Sequence, residues 1–229
     1  MLEQLVESES GEYVCCVNLN LYKSPSCEGL VTQAAAGRHL RVLSSAPGGQ
    51  ALEVQLCEDG YPGWLRIEDV SELKPADRVY QAIALSRIQI EERIPDVIAF
   101  TQNAMQQPNY YLWGGTVEPN YDCSGLMQAA FAASGIWLPR DSYQQAAFTQ
   151  KIEIEELLPG DLIFFGTVDK VNHVGLYLGN GNYIHSSGKD KGRNGIGVDQ
   201  LSEHGDPITQ SYYRQLRGAG RVVASYSRI

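Results

Sequence analysis

The sequence predicts an α+β chain built as two units in series: a small all-β barrel, then a domain of helices packed on an antiparallel sheet. Three observations carry this reading. Short β-branched runs broken by Gly, Pro and Ser clusters fill residues 11 to about 73. A segment apolar nearly all round, CSGLMQAAFAASG, opens at Cys123 and predicts a buried helix. Behind it DLIFFG, NHVGLYLG, NYIHSSG and GIGVDQL follow one another closely, as the strands of an antiparallel sheet do.

The first unit reads as EYVCCVNLNLY, HLRVLSS, ALEVQLCEDG and GWLRIEDV, with turns at SPS, APGGQ and DGYPG. It is expected to occupy residues 1–80. From Lys74 to Arg93 the strand rhythm stops, which places a linker over 81–92 and a second domain over 93–229. In IPDVIAFTQNAMQQP, Ile94, Val97, Ile98 and Met105 recur near helical spacing, and Pro108 ends the helix. The buried helix is expected to stop near Gly135. A fifth strand is expected at GAGRVVASY, a solvated edge at EIEE (153–156), and a loop beside the cleft at GKDKGRNGIG, which lacks phosphate-loop spacing.

The 229 residues are 43% hydrophobic and 20% charged, a globular composition that excludes disorder and fibrous structure. Eighteen Lys and Arg stand against 27 Asp and Glu, a net charge of −9 that repels nucleic acid and anionic membrane alike. No apolar run approaches the roughly 20 residues of a membrane span. The start, MLEQLVESESGEYVCC, lacks the basic and apolar regions of a secretory signal, so a cytoplasmic location is expected. Cysteines at 15, 16, 27, 57 and 123 show no CxxC spacing and suit a reducing compartment. Adjacent Cys15 and Cys16 would point to opposite faces of a strand, and both read as small core residues.

Cys123 differs from the others because it opens the buried helix, where unpaired N–H groups and the positive dipole end favour a thiolate. A nucleophilic thiolate needs an imidazole beside it. His173 and His185 lie on consecutive strand runs joined by Gly179, Asn180, Gly181 and Asn182, which predicts a hairpin. A two-residue Asn180-Gly181 turn would set His185 opposite Leu176, on the face away from His173. A three-residue loop would set it opposite Gly175 and beside His173, with His173 as base and His185 fixing its tautomer. Residue types alone leave open two other readings: polar residues solvated at a sheet edge, and a zinc site from Cys123, His173 and His185. His39 and His204 have no comparable surroundings and read as barrel or surface residues.

Read in order, YLWGG, YDCSGL, LPRDSYQQ, PGDLIFF and NHVGLYLGNGNYIH resemble the NlpC-type family of cell-wall cysteine peptidases over about residues 95–225. The run from VNLNLYKSPS to DGYPGWLRIEDVSEL resembles a bacterial SH3-like domain. The first resemblance implies a papain-like fold with Cys123 as nucleophile, His173 as base and His185 as orienting residue. It implies Tyr111 as an oxyanion donor, twelve residues ahead of Cys123. It also implies substrate contacts from Tyr61, Trp113, Asp122, Ser124, Arg140 and Ser142. The plain alternatives are packing for Tyr111 and Trp113, a surface place for Tyr61, and a surface ion pair of Arg140 with Asp141 or Asp122. The implied activity is cleavage of γ-D-glutamyl-L-diamino acid bonds in peptidoglycan peptides with a free N-terminal L-alanine, in murein recycling. Asp122 alone is thin for binding the amine end, and the sequence does not locate its partner carboxylate; Glu58, Asp59 or another acid of the small domain could serve. An acyltransferase or amidase on the same scaffold, or a decayed wall-binding protein, are the competing functions. No metal or organic cofactor and no protein partner are implied.

Overall fold

The computed structural model describes residues 8–227, and the first seven positions, where part of the signal-sequence reading falls, lie outside the described residues. The chain divides into two compact units. Among the described residues the first takes 8–82, Trp113–Val117 and Ser227; the second takes Ile83–Leu112 and Glu118–Tyr226.

The first unit is one antiparallel sheet of β1 (Tyr13–Cys15), β2 (Leu19–Tyr22), β3 (Leu30–Ala34), β4 (His39–Ser45), β5 (Ala51–Leu56), β6 (Pro62–Arg66) and β7 (Leu73–Pro75), in the order β3-β2-β6-β5-β4-β1-β7. Alternation puts Leu19, Leu21, Leu40, Val54, Leu56 and Leu65 into a common core. Cys15 joins that core, but Cys16, next to it along the chain and directed the other way, is exposed and not a core residue. The IEDV end of the expected last strand is a 3-10 turn, Ile67–Glu72, rather than strand. Glu12 is fully buried, and its carboxylate accepts from Arg41 (2.7 and 3.0 Å) and from the Tyr80 N–H (2.7 Å). That tie holds the start of the linker to the sheet.

The linker is not featureless. Ser86 and Gln89 form a capping box that opens helix α1 (Arg87–Glu91), and Ile90 is buried in the core of the second unit. Helix α2 (Ile94–Gln106) follows, with Pro95 in its first turn and Pro108 just past its end. After β8 (Thr116–Val117) and β9 (Asn120–Tyr121) comes α3 (Cys123–Ala133), buried along most of its length. Gly135 takes φ +74° and closes it, with Ile136 N–H returning to Phe131 O.

A short helix α4 (Ser142–Phe148) and strand β10 (Gln150–Ile152) lead to β11 (Leu162–Gly166), β12 (Val171–Gly179), β13 (Asn182–Ser187) and β14 (Gly195–Gln200). Helix α5 (Pro207–Arg214) and β15 (Leu216–Arg221) complete the unit. The sheet is antiparallel in the order β10-β15-β11-β12-β13-β14. The last strand therefore starts two residues before GAGRVVASY and stops at Arg221; Val222 turns into the core instead of continuing the ladder. One face of the sheet, with Leu162, Phe164, Val174, Leu176 and Ile184, packs with α2 and α3. Ile163, Phe165 and Tyr183 pack with Tyr212 of α5.

The hairpin of β12 and β13 joins both registers considered from sequence. Asn180 (φ +53°) and Gly181 (φ +76°) make a two-residue turn, pairing Gly179 with Asn182. A bulge at Leu178 then shifts the ladder so that Tyr177 meets Tyr183 and Leu176 meets Ile184. A Cβ on Gly175 would stand 2.7 Å from the Tyr183 ring and 3.4 Å from His185 Cβ. Gly175→Ala is expected to lower stability by about 1–3 kcal/mol through overpacking, read as a lower urea midpoint at unchanged m-value.

Candidate active site

The bulged register brings the two histidines together. His173 Nε2 lies 2.7 Å from His185 Nδ1, and His185 Nε2 lies 2.6 Å from Asp199 Oδ2 on β14. The tautomers follow from the end of this chain. A carboxylate only accepts, so His185 donates from Nε2 and accepts at Nδ1; His173 then donates from Nε2 and keeps a lone pair at Nδ1. Arg193 grips the other oxygen of Asp199. His173, His185 and Asp199 are 8%, 0% and 5% exposed, so the chain works with almost no water.

Burial pushes both imidazoles below their ordinary value, His173 well below, with the His185 and Lys191 charges adding to the effect on His173. The hydrogen bond and charge of Asp199 oppose the shift at His185. For Asp199 burial acts upward, but the His185 and Arg193 bonds and charges outweigh it and hold the carboxyl low. The resting state has two neutral imidazoles and an ionised Asp199.

Cys123 is the first residue of α3 and is 6% exposed. The backbone N–H groups of Val174 and Ser124 favour the ionised sulfur, which sets the thiol near the start of β12. Burial nevertheless pushes the thiol up to about 12, aided by the Asp122 charge; the two N–H groups and Arg140 act the other way without prevailing. The helix position alone predicts a lowered thiol. Desolvation of the sulfur reverses that expectation at rest.

Asp122 is the N-cap of α3, accepting from Gly125 N–H at 2.7 Å. Its carboxylate also takes both ends of the Arg140 guanidinium, at 2.5 and 3.1 Å, and Arg140 is 2% exposed. Arg140 donates to Ser124 Oγ at 3.0 Å. Asp122, Ser124 and Arg140 thus form one buried network, so Arg140 pairs with Asp122 inside the fold and not on the surface where the plain alternative set it. Gln145 of α4 adds bonds to the Ser124 and Pro139 carbonyls (3.0 and 2.9 Å), which ties the segment carrying buried Ser142 to the start of α3.

Tyr111 is within electrostatic reach of Cys123, and burial raises its phenol far above the usual value, so the hydroxyl keeps its proton and can donate. Trp113 lies in Trp113–Val117, which clusters with the first unit; its side chain is 72% exposed and therefore not core. In that segment Gly114 takes φ +81° with the Leu30 carbonyl where a Cβ would stand, and Thr116 is bonded to Gln33 by N–H and hydroxyl (3.0 and 2.9 Å). Tyr61 packs against the core of the first unit. Glu58 and Asp59, candidates for an amine-end carboxylate, are buried in that unit beside Arg38, at 3.2 and 3.0 Å. His39 contacts Glu12 in the same unit, and His204 is exposed.

Sequence reading missed Asp199, Arg193 and Tyr212. Asp199 stands on β14 opposite Tyr183, and Arg193 comes from the GKDKGRNGIG loop, expected beside the cleft with no residue of it singled out. No group of three His, Cys, Asp or Glu is placed to hold a metal ion, and no helix is long and apolar enough to cross a membrane, among the described residues.

Comparison with known proteins agrees with this architecture. A model described as the NlpC/P60 family matches residues 108–217, and one described as a bacterial dipeptidyl-peptidase SH3 domain matches residues 21–70. A probable endopeptidase p60 of Listeria seeligeri is 41% identical over 112 residues, which are 49% of this chain and 19% of that protein. A gamma-D-glutamyl-L-lysine dipeptidyl-peptidase of Bacillus subtilis is 40% identical over 79 residues, 33% of this chain and 27% of its own. Each match spans well under half of the relative's length. A crystal structure of an NlpC/P60 family protein from Bacillus cereus superposes with a TM-score of 0.51 over 96% of this chain and 66% of that one; at 23% identity it speaks for the fold alone. Residues 108–217, which hold Cys123, His173 and His185, are a domain of the NlpC/P60 family of cysteine peptidases, and residues 21–70 are a bacterial dipeptidyl-peptidase SH3 domain.

Proposed function

We propose that this protein is a cysteine endopeptidase that hydrolyses the γ-D-glutamyl-L-diamino acid bond of peptidoglycan peptides, with Cys123 as nucleophile, His173 as base and His185 as the residue that orients it. The observation that carries the reading is the hydrogen-bonded chain from His173 through His185 to Asp199, on the strand whose Val174 N–H favours the ionised Cys123 sulfur. It leaves the His173 Nδ1 lone pair as proton acceptor.

In the first step the Cys123 proton passes to His173 Nδ1 as the sulfur attacks the γ-carbonyl carbon. The negative oxygen that forms is stabilised by the Tyr111 hydroxyl and the Cys123 N–H. The imidazolium returns its proton to the departing amine of the diamino acid, leaving a thioester. His173 then draws a proton from water, the thioester is hydrolysed and the thiol is restored.

The named activity of the Bacillus subtilis relative supports the γ-D-glutamyl bond as target, with meso-diaminopimelate or lysine as the diamino acid. The match of residues 21–70 to a dipeptidyl-peptidase domain supports a substrate with a free N-terminal L-alanine. In this reading Asp122 serves the amine end of the peptide, and Ser124, Arg140 and Ser142 serve its D-glutamyl carboxylate. Arg140 then has two tasks, because it also neutralises Asp122. The substrate is a small released fragment, as murein recycling in the cytoplasm supplies.

Incubation with L-Ala-γ-D-Glu-meso-diaminopimelate and its N-acetylated form, followed by mass spectrometry, tests the proposal. Release of diaminopimelate from the free-amine peptide alone, abolished in Cys123→Ala, is the expected result. Cleavage of both peptides would remove the amine requirement. Cleavage of neither would favour an acyltransferase or a binding protein.

Asp199→Asn can turn an N–H toward His185 and reverse both tautomers, placing a proton on His173 Nδ1. A loss of about 10²-fold or more in kcat with little change in KM is expected; unaltered kcat would separate Asp199 from catalysis.

The pKa directions set the pH response. Both histidines are lowered in the folded protein, so the unfolded chain binds more protons below about pH 6.5; their contribution to stability is full above that value and falls as pH drops below it. Activity should hold to below about pH 6.5 before its acid limb begins. Alkylation of Cys123 by iodoacetamide should keep rising above about pH 8.5, the ordinary thiol value. A plateau reached in mild acid would instead show a standing thiolate.

A further inference from the structure

Helix α5 sets a tyrosine against both histidines. Tyr212 is 3% exposed, and its ring stacks on His173 with centroids 4.6 Å apart and planes 29° apart. It meets His185 edge-on at 4.9 Å and 85°. Its hydroxyl lies 2.5 Å from Ser187 Oγ, two residues beyond His185 on β13. Phe165 closes the cluster, 5.4 Å from Tyr212 and 5.8 Å from His173. The ring is thus pinned at its hydroxyl end and along its face.

We propose that Tyr212 is a positioning residue that holds the plane of the His173 ring and stabilises, through its π face, the imidazolium formed when His173 takes the Cys123 proton. The inference rests on the assignment of His173 as base. A cation within about 6 Å of an electron-rich ring is attracted by its quadrupole, and more strongly where water is excluded. The groups facing His173 explain the need. From β13 comes His185 backed by Asp199 of β14, from β11 the uncharged Phe165, and from the loop after β13 Lys191, whose charge opposes an imidazolium, while Cys123 at the start of α3 lies near the adjoining Val174. Of these, the nascent thiolate and the remote Asp199 favour the cation. The Tyr212 face lies directly on it.

The test separates ring electronics from packing. Tyr212→Phe keeps the ring and removes the Ser187 bond, and phenylalanines bearing successively more fluorine at position 212 keep the shape while draining the π face. Hydrolysis of the free-amine peptide should lose kcat stepwise, about tenfold between Tyr212→Phe and the most fluorinated ring, with KM unchanged. The acid limb of kcat should move to lower pH along the series, while the urea midpoint stays within the range of Tyr212→Phe. A flat kcat along the series, or a fall in kcat that tracks a fall in urea midpoint, would overturn the proposal and leave Tyr212 a packing residue. An active Cys123→Ala would sink the underlying assignment instead, which keeps the two failures distinct.

Discussion

The site hangs on the pairing of β12 with β13. Side chains alternate along a strand, so a slip of one residue would carry His185 to the opposite face of the sheet from His173 and end their contact. The two-residue turn at Asn180-Gly181 would impose that slip if the ladder ran straight from it. The bulge at Leu178 absorbs one residue and restores the register in which Leu176 faces Ile184 and the histidine nitrogens stand 2.7 Å apart. Gly175 is part of the same solution. Tyr183 and His185 fill the space a side chain would need there, so the close approach of the strands is bound to the aromatic packing around the histidines.

That packing makes the site dry, and dryness decides its electrostatics. A buried polar chain is favourable where each member has a partner, and the sequence His173, His185, Asp199, Arg193 ends its carboxylate on a guanidinium rather than leaving a bare charge. A second ion pair, Asp122 with Arg140, lies at the start of α3 and does two jobs: it caps the helix that opens with Cys123 and holds Ser124 in place. Removing one partner of such a pair costs about 3–5 kcal/mol. These residues are therefore structural whatever else they contact.

Much of this was legible in the residues themselves. Alternation and turn clusters read out the first unit's sheet, helical spacing read out α2 and an all-round apolar run read out α3, almost to their ends, because Pro108 and Gly135 terminate a helix through backbone geometry alone. Cys123, His173 and His185 stood out because nucleophile and imidazole chemistry restricts residue type. Asp199, Arg193 and Tyr212 did not. Each is a common residue type whose role arises from strands and helices that meet only in the folded sheet, and nothing in GIGVDQL or the SYYR run of α5 shows which neighbour it will touch. The bulge escaped for a related reason: both hairpin registers satisfy the local turn rules, and the aromatic cluster chooses between them. The end of β15 shows the limit on strand edges, where alternation continues past the last paired residue.

The raised thiol at first looks unsuited to a nucleophile, since thiolate is the reactive form. Burial that penalises a lone thiolate penalises a lone imidazolium equally, however, and together the two ions attract each other. At contact distance and an effective dielectric near 20 that attraction is about 4 kcal/mol, and it is absent from either group titrated by itself. Proton transfer and attack are then best made in one motion. In the proposed mechanism charge leaves the sulfur for the carbonyl oxygen as it arrives, so the dry pocket never holds a bare thiolate, and the cation is left where His185, Asp199 and the Tyr212 ring already lie. The neutral resting pair is the form this packing favours, and the substrate completes the conditions for ionisation.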